Sequence, residues 1–322
     1  MSTITLAALT RDIEEFILFK RTLGRRYEAA ALLLHRFRRF AEEYATASSS
    51  SRIALDALIH AWLSRPGARK PTGTAQQFGT IRELCLYRHR RDPSSFVPDR
   101  SLAPRRGPKF LPYALSPDQV RTVIKAARHY RGKVFWGEML GLLLLMLYCT
   151  GLRPAEPLRI RLADLDLKSR TFLIRESKGR TRIVPFGADL ACAIERYLRK
   201  RAALAPAGQL PDCLLLDRDG QALRMRSVTK VICKLFRRLG LKPARGPGGP
   251  RTYDFRHAFA VHRLTQWYAQ GVDLQARLPW LSAYMGHDDL LGTEVYLHAT
   301  PSLLRTASRR FAKRLKQGSR LS

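Results

Sequence analysis

Acidic residues are what this sequence is short of: 26 Asp plus Glu stand against 58 Lys plus Arg in 322 residues, a formal net charge of +32. The basic excess runs along the whole chain rather than sitting in a tail, so the expected partner is a polyanion. Nucleic acid leads, because neutralising many phosphates releases counterions and drives binding. A basic protein held on ribosomes or at a membrane surface is the other reading that charge leaves open. Cysteine is sparse too: five, at 85, 149, 192, 213 and 233, with no CxxC pair. That argues against a disulfide framework or a thiolate zinc site and suits reduced thiols in a cytosolic protein. No membrane-length apolar run is present; the longest, GLLLLMLYC at 141–149, is too short to span a bilayer and reads as a buried helix. The opening MSTITLAALTRDIEEF carries acids where a signal peptide needs an unbroken apolar core. The expected location is therefore the cytoplasm, with the nucleoid. GPGGP at 246–250 lacks the lysine and Ser/Thr of a phosphate-binding loop and reads as a linker turn. No cofactor and no metal are expected.

The length favours two domains, and a hydrophobic content of 45% suits a well-cored soluble protein. The first ninety residues look all-helical: DIEEFILFKRTLG, EAAALLLHRFRRFAEEYA, ALDALIHAWL and TAQQFGTIRELCLYRHRR place apolar residues at three- and four-residue intervals, broken at SSSSR. Arginines interleaved in the second and last of these segments suit either a solvated face or a DNA-backbone contact. Prolines at 93, 98, 104, 108 and 112 make an extended linker. The expected division is a helical domain at 1–105, with its linker at about 92–112, and a second domain at 113–322. In the second domain, Ser116 and Pro117 start a helix. TFLIRESKGRTRIVPFG reads as two strands around Lys178-Gly179-Arg180, and CLLLD at 213–217 looks strand-like. The fold class expected is mainly α with a small β-sheet in the second domain (α+β).

Four stretches of that domain hold chemistry-bearing residues: Arg153 in CTGLRPAEPL, Lys178 at the strand-pair tip, Arg256 in TYDFRHAFAVH, and His287 with Tyr296 in MGHDDLLGTEVY. In this order and spacing the set resembles the tyrosine recombinase (phage integrase) family, from roughly residue 110 to 300. The helical N-terminal part is similar to that family's core-binding domain. The resemblance implies a two-domain DNA clamp that cuts and rejoins strands through a covalent 3′-phosphotyrosine, without metal.

Each residue type suits that chemistry. A tyrosine nucleophile, Tyr296, conserves the phosphodiester's energy, yet with a free pKa near 10 its phenol needs help to lose a proton. Two guanidiniums, Arg153 and Arg256, can grip the non-bridging oxygens as negative charge builds there. The resemblance implies that Lys178 protonates the departing 5′-oxygen, that His287 binds a phosphate oxygen, and that the partners are double-stranded DNA and further copies. It also implies a tetramer on paired sites exchanging a basic C-terminal helix at 301–322, alone or with related recombinases. Glu156, three residues after Arg153, would on a helix share its face and orient it or a neighbouring histidine, or form a simple salt bridge. Tyr253 departs from the pattern, standing where the family usually has histidine; weakened base catalysis is expected. His257 is expected to point about 100° away from Arg256 and to brace the site.

Other readings stay open here: a degenerate, non-cutting DNA binder, a topoisomerase of the same chemistry, or a metal-dependent nuclease using Asp164 and Asp166 or Asp217 and Asp219. His257 and His262 do not have the zinc-binding HExxH spacing.

Overall fold

The computed structural model describes residues 3–48, 52–65, 71–104, 113–130, 134–177, 179–204, 210–217, 219–246, 248–287, 289–297 and 308. The chain forms two compact units, Met1–Phe110 and Leu111–Ser322.

Unit one is built on α1 (Leu6–Thr22), α2 (Glu28–Ala47), α3 (Leu55–Ser64) and α4 (Pro71–Arg91). Their apolar stripes meet over Phe16, Leu34, Phe37, Trp62 and Ile81. The expectation of an all-helical unit is corrected by a small antiparallel pair, β1 (Thr3–Thr5) and β2 (Arg52–Ala54), with Ile4 opposite Ile53. Both isoleucines are buried. β-Branched residues favour the extended backbone, and three residues are too few for alternation to be seen in the sequence. Part of the basic end of α4 is used internally, since Arg88 pairs with Asp12 at 2.6 Å and Arg91 with Glu15.

Unit two opens with α5 (Pro117–Arg128), started by the expected cap. Ser116 Oγ accepts from the Gln119 N–H at 3.1 Å and Gln119 Oε1 from the Ser116 N–H at 2.9 Å. The apolar run belongs to α6 (Val134–Thr150), which packs against α5, α7 (Ala188–Ala202) and α9 (Asp254–Ala269). A helix apolar on every side can be satisfied only at the centre of a fold. β3 (Leu165–Asp166), β4 (Thr171–Ser177) and β5 (Arg180–Pro185) form an antiparallel sheet in that order. α8 (Met225–Arg238), α10 (Leu274–Met285) and the short α11 (Leu291–Glu294) complete the unit.

CLLLD is not a strand. It makes only isolated bridges, Arg161 with Cys213 and Leu216 with Ala222, although Leu214, Leu215 and Leu216 are fully buried. Its run of apolar residues reflects burial on all sides rather than strand pairing. Among the described residues no helix is long and apolar enough to cross a membrane. The basic segment 301–322, apart from Ser308, and Lys178 lie outside the described residues.

Candidate active site

The site begins where α6 ends. Gly151 turns the chain at φ +60, and a Cβ there would stand 2.4 Å from Phe259 Cδ1, so both conformation and space require glycine. The turn delivers Arg153, whose Nη1 donates to Glu156 Oε1 at 3.0 Å and to Ser177 Oγ at 3.1 Å; its Nη2 donates to the Gly286 carbonyl. Arg153 and Glu156 do not share a helix, as their spacing suggested: they sit in the turn before a 3₁₀-helix at Pro157–Arg159. Pro154, between the two, and Pro157, just after them, disfavour an α-helix there.

Glu156 holds more than Arg153. Arg182, on β5, grips both of its oxygens, Nη1 to Oε1 at 3.0 Å and Nη2 to Oε2 at 2.9 Å, while Arg182 Nε donates to the Tyr284 carbonyl at 3.2 Å. Burial alone would raise the Glu156 carboxyl, but hydrogen bonds from Arg182 and Ser177 win and bring it down to about 2. A Cβ on Gly286 would lie 2.9 Å from the Arg182 guanidinium carbon, so the glycine that ends α10 also makes room for this fork. The sequence reading missed Arg182. Ile183 and Val184 are both apolar, so the inward face of β5 cannot be told from its pattern; the sheet turns Arg182 inward and leaves Ile183 65% exposed.

Arg256, in the first turn of α9, is 0% exposed. Its Nη1 donates to the Gly151 carbonyl at 2.6 Å and its Nη2 to the Met285 carbonyl at 2.9 Å, while Nε makes no hydrogen bond. The two arginines therefore converge, on the carbonyls of the adjacent residues Met285 and Gly286. Burial pulls the Arg256 guanidinium below its usual pKa, and the like charge of Arg153 adds to this.

Beyond Gly286, His287 Nδ1 meets the hydroxyl of the buried Thr293 at 2.6 Å, and its ring stacks 6.3 Å from that of Tyr296. Tyr296 is 2% exposed, packed with Phe259, Leu281 and Met285. Its hydroxyl meets His257 Nδ1 at 3.0 Å. Burial pushes the phenol up to about 12, with Arg256 nearby pulling the other way. His257 touches the candidate nucleophile, because the chain after α10 folds Tyr296 over the first turn of α9. The Tyr253 ring lies 4.9 Å from that of His257.

The sequence profile described as "Phage integrase family" matches residues 114–302. The integrase/recombinase-type protein y4rB of Sinorhizobium fredii is 30% identical over 316 residues, covering 96% of this chain and 98% of the relative. The chain belongs to the phage integrase family. Tyrosine recombinase XerA of Pyrococcus horikoshii is 28% identical over 204 residues, 62% of this chain and 61% of the relative. Among solved structures, the Tn1549 transposon integrase in complex with transposon right end DNA has a TM-score of 0.68 at 17% identity, covering 96% of this chain and 100% of that one. The XerH recombinase in its post-cleavage complex with difH reaches 0.63 at 19% identity, over 86% and 77% of the two chains. At these identities the structural likeness is one of fold.

Within this phage integrase fold, the site thus gathers Arg153, Glu156, Arg256, His257, His287 and Tyr296, with Tyr253 against His257. Lys178, which follows Ser177 in the sequence, lies outside the described residues. The acids considered for a metal have other partners: Asp164 pairs with Arg175 at 2.7 Å, and Asp217 Oδ1 accepts the backbone N–H groups of Asp219 and Gln221. Among the described residues no group of three His, Cys, Asp or Glu could hold a metal ion.

Proposed function

We propose that this member of the family is a site-specific recombinase in which Tyr296 attacks the scissile phosphate and stays attached as a 3′-phosphotyrosine. Arg153 and Arg256 hold the non-bridging oxygens, His287 adds a third contact, and Lys178 protonates the leaving 5′-oxygen. Glu156, with Arg182, fixes Arg153. The observation that carries this reading is the convergence of both guanidiniums on the Met285–Gly286 carbonyls, with the Tyr296 hydroxyl beside Arg256. Preorganised donors of this kind stabilise charge as it develops.

The deciding experiment uses a suicide duplex nicked near its site. Wild-type chain should yield a DNA complex that survives denaturation, and Tyr296→Phe should yield none while binding within about twofold of wild type. Adduct surviving in Tyr296→Phe would remove the nucleophile assignment. Relaxation of supercoiled plasmid lacking any specific site would favour a topoisomerase.

The partners follow from the same reading. Unit one is the core-binding domain, and the assembly is a tetramer on paired sites. Each copy receives segment 301–322 of its neighbour in an apolar groove of about 500 Å³ lined by Ile183, Phe259, Trp267, Trp280, Leu281 and Tyr284. Trp280, 71% exposed, leaves this groove short of an occupant. Deleting 301–322 should leave single-site binding intact and abolish the paired-site complex in sedimentation; unchanged assembly would sink the exchange.

A further inference from the structure

An imidazole without a part in that scheme lies against the nucleophile. His257 Nδ1 is 3.0 Å from the Tyr296 hydroxyl, and its Nε2 lies 3.8 Å from the Asp254 carboxylate. Asp254 is 0% exposed and is held by the Arg251 backbone N–H at 2.7 Å. The imidazole thus has the hydroxyl at one ring nitrogen and the buried carboxylate nearer the other, the order in which a weak nucleophile is activated. Tyr253, at the position where a family member would carry histidine, offers a phenol, which accepts a proton poorly.

We propose that His257 is the general base for Tyr296, with Asp254 as its positioning residue. The phenol's O–H bond breaks toward Nδ1 while its oxygen bonds to phosphorus and the bond from phosphorus to the 5′-oxygen breaks. The 5′-oxygen takes a proton from Lys178, so one proton enters at His257 and one leaves at the lysine. Religation returns both. Asp254, 3.8 Å from Nε2, steadies the imidazolium by its charge. This inference rests on the proposed function.

The groups around the ring agree with that role. Tyr253, Asp254 and Arg256 face it from its own helix end, Arg251 from the preceding turn, and His287 and Tyr296 from the chain after α10. Burial first, then Arg251, Arg256 and His287, push the imidazole down to about 4, which keeps it neutral and able to accept. A phosphate bound between the arginines cancels much of the charge that opposes imidazolium. The base therefore strengthens when DNA is in place, by the part of the shift that neighbouring charge rather than burial causes.

The test uses the full chain and a nicked duplex selected from a random pool by binding to it. His257→Gln keeps an acceptor for the Tyr296 hydroxyl but cannot take its proton. We expect DNA binding within about twofold of wild type and adduct formation slower by roughly 10²–10⁴-fold. Asp254→Asn should give a smaller loss in the same direction. A duplex with sulfur in place of the bridging 5′-oxygen releases a thiolate that needs no acid. It should leave the His257→Gln defect intact while correcting that of Lys178→Ala.

Wild-type rate in the Gln variant, a faster rate (a latch released), rescue by sulfur, or a loss of binding equal to the loss of rate would each overturn the base role. Should the Gln variant not fold, the wild-type rate against pH decides: the base role requires the rate to fall as pH drops toward the imidazole's value of about 4, and a rate flat from roughly pH 8 down to 4 overturns it. No adduct from wild type would instead sink the recombinase reading and this inference with it.

Discussion

At the residue scale one carboxylate organises the site. Glu156 is buried and accepts from Arg153, Ser177 and Arg182, which come from a turn and two strands. Removing it with Glu156→Ala strands two guanidiniums and should cost about 3–5 kcal/mol, read as a lower denaturation midpoint. Its carboxyl lies at about 2, below the ordinary value of 4.5, so its stabilisation is present above pH 4.5. That contribution, about 3 kcal/mol, should drain away as pH falls from 4.5 toward 2, and Glu156→Gln should flatten this acid limb of the stability curve. An unchanged limb would show that Glu156 is not ionised in the fold. The sequence made Arg153, Arg256, His287 and Tyr296 legible as candidates because their motifs carry spacing. Arg182 and Thr293 were not legible, since each matters through a contact that only folding creates. His257 was half legible: its place on the helix could be read, but not the return of residue 296 across it.

At the element scale, legibility followed length and cooperativity. The long helices α1, α2, α4 and α6 declare themselves by periodicity or by an unbroken apolar run, and the Ser116-Pro117 start by its cap. Two- and three-residue strands carry no readable period, which is why β1, β2 and β3 went unseen. Arg153 and Glu156 were read as sharing a helical face because a three-residue interval suits a helix and a turn equally. CLLLD shows the opposite error: burial on every side mimics the composition of a strand. The β1–β2 pair and CLLLD fall where tertiary packing chose the backbone, whereas at 153–156 the prolines were there to be read.

At the scale of the whole molecule, the excess of cations should appear as a steep salt dependence of DNA binding. Helix α8 buries Val228, Ile232, Leu235 and Phe236 and exposes Arg226, Lys230 and Lys234. Replacing these three with alanine should reduce the slope of log affinity against log salt by about 0.9 for each phosphate they neutralise. An unchanged slope would take α8 off the DNA surface. Composition announced the polyanion but not the face that meets it, because 58 basic residues are too many for any one of them to stand out. The 2% exposure of Tyr296 has a consequence for the cell that carries this protein. On the proposed assignment, a copy wandering along a chromosome in this shape shows almost none of its blade to the surroundings, so a passing strand meets little that could nick it.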